Sequence, residues 1–316
     1  MLNWVIGSRG LLGSSVSDEL LKSGKPWHPS TQMIWAKHGD AESIAAMEHS
    51  IMSAVEEFAS AQSEQAWSIF WCAGIGVVNS PNELLDLEIM AVRHLTSSLK
   101  KFGLTSNGVG RIFFASSAGG VYAGSLNPPF TEATPVVPIS NYGRQKIAIE
   151  DLLLKFGEEC NTKIIIGRIA NLYGVKQNQH KQQGIVTALV RSSLTNTIMN
   201  IYVPLNTIRN YIFAPDAACQ IVSQVMEMNE PARLVVICSK YNWSLSTILR
   251  MTQDVMRKRL CYFQSSREAT MLQPIDLRLA TQYVSQNSPT SEVPLIVGIN
   301  NIRLHLLDNL QKGITV

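Results

Sequence analysis

The sequence predicts an α/β protein with a doubly wound parallel sheet and a smaller C-terminal lobe. Short apolar runs bounded by glycine, proline or polar residues alternate with longer stretches of helical periodicity. Strands that are apolar along their whole length are typical of a sheet covered by helices on both faces. The regular alternation of strand and helix favours parallel strands joined by helical crossovers.

The individual elements follow from these patterns in chain order. Strands are predicted at residues 3–6, 33–36, 67–72, 111–115, 163–166 and 234–238. Helices are predicted at residues 11–21, 41–59, 82–102, 142–156 and 214–228. The first strand, a glycine-containing turn and the first helix thus open the chain as a strand–turn–helix unit.

Two segments interrupt the alternation and predict a second lobe. Neither residues 175–209 nor the tail after residue 241 has a strong strand rhythm, while the strand at 234–238 lies between them. We therefore predict a sheet domain of residues 1–174 plus 210–240. The smaller lobe is predicted to combine residues 175–209 and 241–316.

The composition of the 316 residues excludes several classes of protein. Hydrophobic residues make up 46% and charged residues 16%, which is a globular balance without a disordered tract. The net charge of +3 is spread along the chain, so we expect no nucleic-acid partner. Neither a leader peptide nor an apolar run of membrane-spanning length is visible, which predicts a cytoplasmic protein with no membrane partner. The five dispersed cysteines predict reduced thiols and no metal site.

The sequence Gly7-Ser-Arg-Gly10-Leu-Leu-Gly13 connects the first strand to the first helix. Gly7 permits a tight turn, Gly10 allows a pyrophosphate to approach the backbone, and Gly13 allows close packing of helix and strand. This position at the start of a βαβ pattern favours dinucleotide binding on a Rossmann sheet. The spacing is GxxGxxG, which differs from the GxGxxG form of the fingerprint.

The residues near the second strand favour NADP over NAD as the cofactor. NAD is usually held by a carboxylate about twenty residues beyond the glycine turn, whereas this chain has His28-Pro-Ser-Thr31 there. Arg9 lies inside the turn, where its cation can meet a 2′-phosphate, and Ser30 and Thr31 can donate hydrogen bonds to it.

Tyr142-Gly-Arg-Gln-Lys146 places a phenol and an amine four residues apart. On a helix these positions share one face, and a lysine ammonium beside a phenol favours the phenolate. The strand at 111–115 runs into Ser116 and Ser117, and ligands bind beyond the carboxyl ends of parallel strands. We expect the serines and the phenol to meet there in an acid/base site.

Taken together, these motifs resemble the extended short-chain dehydrogenase/reductase superfamily of nucleotide-sugar epimerases, dehydratases and ketoreductases. The resemblance covers nearly the whole chain, through the glycine turn, Asp40, Cys72-Ala-Gly74, Ser-Ser-Ala-Gly-Gly-Val-Tyr122 and Tyr142-x3-Lys146. It continues with Arg168-Ile-Ala-Asn171-Leu-Tyr-Gly174 and Arg209-Asn-Tyr-Ile-Phe-Ala-Pro-Asp216, which look like the family's RPxNxYGP and RDxxxVxD stretches.

The resemblance implies a role for each matching residue. Tyr142 is expected as the general acid/base, Lys146 as the contact to the nicotinamide ribose, and Ser117 as a hydrogen-bonding partner of the reacting sugar oxygen. Asn171 and Arg209 are expected to bind the pyrophosphate of a nucleoside-diphosphate sugar. The residues predicted to contact the cofactor are Gly7, Arg9, Gly10, Leu11, Leu12, Gly13, Ser30, Thr31, Asp40, Ala73, Gly74, Ser116, Tyr142, Lys146 and Ile169. A homodimer through the helices at 82–102 and 142–156 is a further implication of the resemblance.

Departures from the family pattern restrict the predicted activity. The 4,6-dehydratases carry Thr-Asp-Glu where this chain has Ser117-Ala-Gly119, so elimination of water is disfavoured. Ala118 replaces a cysteine of the enzymes that make GDP-fucose, and His180 does not align with their loop histidine. Asn210 and Val175 replace the usual aspartate and proline.

The sequence therefore predicts an NAD(P)-dependent ketoreductase or 4-epimerase acting on a nucleoside-diphosphate sugar. Both reactions move a hydride at a sugar carbon while Tyr142 moves the hydroxyl proton. A different class stays open beside them, in which the same fold is a catalytically silent NADP sensor or scaffold.

Overall fold

The computed structural model describes residues 1–25, 27–28, 33–37, 39–61, 66–74, 76–105, 110–177, 184–264, 276–283 and 292–314. The strands are β1 (Leu2–Ile6), β2 (Trp27–His28), β3 (Trp67–Trp71), β4 (Gly110–Ser117), β5 (Lys163–Ile169), β6 (Asn171–Tyr173), β7 (Met199–Ile201), β8 (Ile208–Phe213), β9 (Ala232–Ile237), β10 (Asn242–Ser244), β11 (Tyr262–Gln264) and β12 (Asp276–Leu277). The helices are α1 (Leu11–Lys22), α2 (Ala41–Ala61), α3 (Asn82–Lys101), α4 (Ala118–Val121), α5 (Asn141–Cys160), α6 (Ile185–Thr195), α7 (Ala214–Met226), α8 (Leu245–Met256) and α9 (Leu295–Gln311).

Six strands form one parallel sheet in the order β2-β1-β3-β4-β5-β9. Val5 lies opposite Phe70, Phe70 opposite Phe113, and Phe113 opposite Ile165. Each parallel connection passes through a helical crossover, as such pairing requires. The predicted doubly wound α/β class is confirmed.

The two faces of this sheet bury different side chains. Val5, Phe70 and Phe113 pack with α1 and α7 on one face. The neighbouring residues Trp4 and Ile112 point the other way and pack with α2, α3 and α5, because successive side chains of a strand alternate between faces. Burial of one such side chain stabilises the folded state by about 1.5–3 kcal/mol. The strands are apolar along their whole length because helices cover both faces of the sheet.

The prediction of a strand at residues 33–36 is wrong. The short strand β2 lies upstream at Trp27–His28, and residues 33–36 have no strand structure. β1 pairs with β2 on one side and with β3 on the other, so no edge of β1 is available for another strand. Met33 and Ala36 are nevertheless buried in the core beside α2, which explains the apolar pattern without strand pairing.

The C-terminal half of the chain forms a second group of strands and helices. β8 pairs with β6, β10 and β12, and β7 pairs with β11. Helices α6, α8 and α9 share an apolar core that includes Val190, Ile248 and Ile299. These elements face the carboxyl edge of the large sheet across a cavity. The predicted domain boundaries after residues 174, 209 and 240 stay a prediction.

Among the described residues, every helix is too short or too polar to cross a membrane.

Candidate active site

The carboxyl end of β4 directs its two serines to different partners. Ser116 donates a hydrogen bond of 2.5 Å from its Oγ to Glu150 Oε1 in the protein interior. Ser117 is the N-cap of the short helix α4, where its Oγ accepts a bond of 3.2 Å from the backbone N–H of Gly120. Because a hydroxyl that accepts this bond retains its proton, Ser117 can still donate to a ligand in the adjoining cavity.

A buried ionic network supports this end of β4. The carboxylate of Glu150 on α5 accepts 2.6 Å and 3.3 Å bonds from Nη2 and Nε of Arg168 on β5. Arg168 Nη1 donates to the Tyr122 hydroxyl at 2.9 Å, which in turn donates to the carbonyl of Thr131 at 2.9 Å. Burial lowers the pKa of Arg168, but the hydrogen bonds and charges of Glu150 and Tyr122 together outweigh it, and the net shift of the pKa is upward. Arg168 therefore stays charged at neutral pH, and Glu150 holds the side chain of Ser116 in the protein interior.

Tyr142 lies in the first turn of α5, where close backbone packing positions its ring. Ser140 caps this helix by accepting a 3.1 Å bond from the N–H of Gly143. A Cβ atom added at Gly143 would lie 2.2 Å from the carbonyl oxygen of Gly120, and one added at Gly120 would lie 3.1 Å from the Tyr142 ring. Only glycine at position 143 allows α4 and α5 to approach so closely, and a side chain at position 120 would crowd the Tyr142 ring. This approach brings Tyr142 next to the serine turn.

Lys146 lies one helical turn after Tyr142, as the spacing predicts. Its Nζ atom is 5.5 Å from the centroid of the Tyr142 ring and 5.1 Å from that of Phe114. Ser117, Tyr142 and Lys146 all line the same cavity of about 640 Å³ at the carboxyl edge of the sheet. The three residues predicted to carry the chemistry therefore share one cavity.

Glu88 on α3 is a residue of this site that the sequence reasoning missed. Its Oε1 accepts a 2.7 Å bond from Lys146 Nζ, and both side chains are only 5% exposed. Gln145 donates from Nε2 to Glu88 Oε2 at 2.9 Å. A signal was present in the sequence, because Glu88 interrupts the apolar stripe of α3 formed by Leu85, Val92 and similarly spaced residues.

The pair also changes the electrostatics expected for Lys146. Burial by itself lowers the pKa of the Lys146 ammonium, while the negative charges of Glu88 and of an ionised Tyr142 raise it, and the net shift of the pKa is upward. Lys146 therefore stays protonated at neutral pH. Its positive charge acts on the phenol together with the negative charge of Glu88.

The glycine turn forms one wall of a second cavity of about 400 Å³. Gly7 has a φ of +86°, and a Cβ there would lie 2.7 Å from the backbone nitrogen of Ala73. A Cβ at Gly13 would lie 2.2 Å from the carbonyl of Gly7, so both positions require glycine. The two cavities adjoin, since Arg9, Gly10, Cys72, Ala73 and Gly74 line both.

This turn fits a dinucleotide pyrophosphate. Gly10 is the N-cap of α1, and its lack of a side chain leaves the backbone N–H groups of the first turn without a side-chain cap. Uncapped N–H groups at a helix N-terminus bind anions, and the absent Cβ atoms allow a ligand to approach the backbone. The residues present thus agree with the type of cofactor predicted from the sequence.

The other predicted cofactor residues occupy different places. Leu11 and Ile169 line the larger cavity, whereas Leu12 is buried in the sheet core. Asp40 is exposed and accepts a 2.8 Å bond from the N–H of Ser43 at the start of α2, and it lines neither cavity. Ser30, Thr31 and the loop residue His180 lie outside the described residues.

The larger cavity is also lined by Asn171 and Arg209, the two residues predicted to bind a pyrophosphate. Asn171 donates from Nδ2 to the carbonyl of Asn210 at 2.8 Å, and Arg209 donates from Nη1 to the carbonyl of Ile208 at 2.9 Å. Burial lowers the pKa of Arg209 but leaves it ionised at neutral pH. Burial also raises the pKa of the neighbouring Tyr211 to about 12.

Asn210, which replaces the usual aspartate, is explained by its hydrogen bonds. It is fully buried, donates from Nδ2 to the carbonyls of Ser239 and Tyr241 at 2.8 Å and 3.1 Å, and accepts a 2.9 Å bond from the N–H of Ser239. A carboxylate could not donate these bonds. Asn210 therefore stabilises the backbone behind the cavity and does not face it.

No group of three histidine, cysteine or acidic side chains is close enough to hold a metal ion within the part of the chain that the structure describes.

The fold and the site together define a class: a Rossmann-type α/β protein with a ligand cavity where a glycine turn, a serine turn and a Tyr–Lys helix meet. The model of the NAD dependent epimerase/dehydratase family matches residues 4–238. The chain belongs to this family.

Three known proteins illustrate the similarity. The chain is 34% identical over 113 residues to dTDP-4-dehydro-6-deoxyglucose reductase from Escherichia coli, which covers 36% of this chain and 35% of that protein. It superposes on UDP-glucose 4-epimerase from Thermotoga maritima, solved with UDP-glucose, with a TM-score of 0.75 and 20% identity over 98% of this chain and 100% of that one. It superposes on RMD from Pseudomonas aeruginosa, solved with NADPH, with a TM-score of 0.76 and 17% identity over 98% and 99% of the two chains.

Proposed function

We propose that the chain is an NAD(P)-dependent enzyme that transfers a hydride at a carbon of a nucleoside-diphosphate sugar. The observation that carries this proposal is the meeting of Ser117, Tyr142 and Lys146 in one cavity that adjoins the glycine turn. Membership of the family supports it, as does the likeness to a reductase and an epimerase of nucleotide sugars. The nicotinamide group supplies or accepts the hydride when it is bound.

Each residue of the site has a task in this reaction. Tyr142 gives or takes the proton of the reacting sugar hydroxyl, and Ser117 donates a hydrogen bond that orients the same oxygen. Lys146 contacts the nicotinamide ribose and holds a positive charge beside the phenol. Asn171 and Arg209 bind the sugar diphosphate, for which a guanidinium offers paired charge-assisted hydrogen bonds.

The proton-transfer step is tested with Tyr142→Phe. Purified protein is mixed with UDP-, GDP- and dTDP-linked sugars with and without NADPH, while reduced nicotinamide and sugar products are measured. We expect this variant to lower turnover about 10²–10⁴-fold, the usual contribution of a general acid or base. Tyr262→Phe is the matched control, because Tyr262 is exposed on β11 and lines neither cavity. Full turnover by Tyr142→Phe would remove the mechanism.

The same assay separates the two reactions that fit the site. Consumption of NADPH in proportion to the sugar product identifies a ketoreductase, whereas interconversion of two sugars without added cofactor identifies a 4-epimerase. A catalytically silent NADP sensor would bind the dinucleotide and convert none of the sugars. Identification of the nucleotide released from the denatured protein tests the cofactor directly.

NADP is the proposed cofactor because Arg9 lines both cavities at the glycine turn. A guanidinium there is suited to a 2′-phosphate, which NAD lacks. We expect Arg9→Gln to weaken NADPH binding about tenfold and to leave NADH binding nearly unchanged, since one charge-assisted bond contributes about 1.5 kcal/mol. Arg93→Gln, an exposed change on α3, is the control. Equal weakening of both cofactors would contradict the preference for NADP.

A homodimer formed through α3 and α5 is part of the proposal. Sedimentation or light scattering of the purified chain measures the mass in solution. A mass of one chain at all protein concentrations would contradict the dimer, while leaving the catalytic proposal intact.

A further inference from the structure

Glu88 and Lys146 form an ion pair that is shielded from solvent next to the phenol of Tyr142. Nζ of Lys146 and Oε1 of Glu88 are 2.7 Å apart, and each side chain is 5% exposed. The second carboxylate oxygen accepts the 2.9 Å bond from Gln145, whose Nε2 also donates to the carbonyl of Leu85 at 3.3 Å. The carboxylate is thus held by hydrogen bonds at both oxygens.

The charged and titratable groups around Lys146 come from four elements. Glu88 belongs to α3, and Tyr142 and Glu150 belong to α5, the helix of Lys146 itself. Glu150 is already paired with Arg168 of β5. Cys72 at the end of β3 lines both cavities, and burial raises the pKa of its thiol, so that it is uncharged at neutral pH. β4 places the ring of Phe114 5.1 Å from Nζ, and its Ser116 and Ser117 line the same cavity as Lys146; none of these three side chains is charged.

This arrangement leaves little net positive charge to act on the phenol. A lone lysine ammonium would favour the phenolate and make Tyr142 a base near neutral pH. A carboxylate in direct contact with the ammonium opposes that effect, because the fields of two opposite charges largely cancel beyond the pair. Since the pair is buried, water screens it only weakly.

We propose that Glu88 is a positioning residue that holds Lys146 beside Tyr142 and offsets its charge, so that Tyr142 keeps its proton at neutral pH and donates it to a substrate carbonyl. The inference rests on the proposed function and describes its reductive step. The carbonyl carbon gains a hydride from the reduced dinucleotide, and the carbonyl oxygen gains the Tyr142 proton. The C=O bond becomes a C–OH group, and the phenolate recovers a proton from solvent.

The offset is measured without any substrate by titration of the phenol. The near-ultraviolet phenolate absorption of the protein is recorded against pH, and the same curve for Tyr142→Phe is subtracted to isolate Tyr142. We expect Glu88→Gln to lower the midpoint of Tyr142 by about one pH unit or more, the effect of removing one nearby charge in a partly buried site. Asp86→Asn, which removes an exposed acid from the same helix, is expected to leave the midpoint unchanged.

A second variant keeps the test decisive if Glu88→Gln does not fold. The double variant Glu88→Gln/Lys146→Met removes both charges at once and leaves no buried ion unpaired. We expect its Tyr142 midpoint to lie within about half a pH unit of the original protein, because the two charges cancel at the phenol. A rise of more than about one unit would show that Lys146 alone governs Tyr142, and would overturn the offset.

Kinetics distinguish this inference from the proposed function. In an active reductase, the alkaline limb of kcat against pH is expected to move to lower pH in Glu88→Gln by the same amount as the phenol midpoint. If Glu88→Gln lowered kcat or thermal stability but left the alkaline limb of kcat and the Tyr142 midpoint unchanged, Glu88 would have only a structural role. Weaker binding of NADPH with an unchanged midpoint would make it a cofactor contact, and would also overturn the proposal. A shifted midpoint in a protein that converts no sugar would leave the offset standing and refute the catalytic function.

Discussion

Gly143 on α5 provides a sharp test of how the fold positions the active site. It packs against the backbone of Gly120 on α4, and an added Cβ would lie 2.2 Å from the Gly120 carbonyl oxygen and 2.9 Å from both its carbonyl carbon and Pro138 Cβ. The obstacle is therefore backbone on one side and a rigid ring on the other. Neither can rotate away as a flexible side chain can.

The expected size of the effect in Gly143→Ala follows from these distances. Carbon atoms make ordinary contacts at about 3.5–4.0 Å, so α4 and α5 would have to separate by about 1 Å. Overpacking of this kind destabilises a protein by about 1–3 kcal/mol. The same movement displaces Tyr142 from Ser117, and a misplacement of about 1 Å lowers turnover about 10²-fold.

Two measurements on the same protein check this reasoning. Urea unfolding gives the loss of stability, and the nucleotide-sugar assay gives the loss of turnover. Gly119→Ala is the stability control, because a Cβ added at that position of α4 meets no atom within 4 Å. If Gly143→Ala were as stable as Gly119→Ala and kept full turnover, the close approach of α4 and α5 would not be what places Tyr142.

Further predictions concern the groups around the site. Arg168→Met leaves the buried carboxylate of Glu150 without its charged partner. We expect the free energy of unfolding in urea to fall by about 3–5 kcal/mol. An unchanged urea midpoint would contradict the ionic network. Asn210→Asp removes two donated hydrogen bonds from a fully buried position and adds a charge, so we expect a loss of at least about 2 kcal/mol at neutral pH that becomes smaller in acid. Arg233 holds the pKa of Glu230 down at about 2, compared with an ordinary 4.5. The stabilisation from this pair is therefore complete above pH 4.5 and is lost as the pH falls towards 2. Thermal unfolding of Arg233→Met should accordingly approach that of the original protein over this range, and a constant difference would refute the assignment.

Much of the large sheet could be predicted from local pattern. Five of its strands coincide with predicted apolar runs, because a strand covered on both faces needs apolar side chains at every position. The wrong prediction of a strand at residues 33–36 also arises from an apolar run. Burial alone produces an apolar run there, while strand pairing requires a free neighbouring edge, which β1 does not have.

Some residues of the candidate site could likewise be predicted from local sequence, whereas others depend on tertiary contacts. Ser117, Tyr142 and Lys146 could be selected because strand ends and helical spacing are local properties. Glu88 could be noticed only as an acid within an apolar stripe, since its partner Lys146 is 58 residues away in the chain. Asp40 could be selected because it matches a family position; in the structure it accepts a hydrogen bond at the start of α2, as an N-cap acid does, and lines neither cavity.

The sequence by itself determined the class of fold, the glycine turn at the head of α1 and the spacing of Tyr142 and Lys146 on α5, the residues proposed for the acid/base step. These depend on periodicity and on spacings of a few residues. The tertiary structure decided the environment of those residues: that Gly143 must be glycine so that α4 and α5 can touch, and that Glu88 is the acid paired with Lys146. Charge pairing and close packing depend on distances in space between remote segments, and only the packed chain determines those distances.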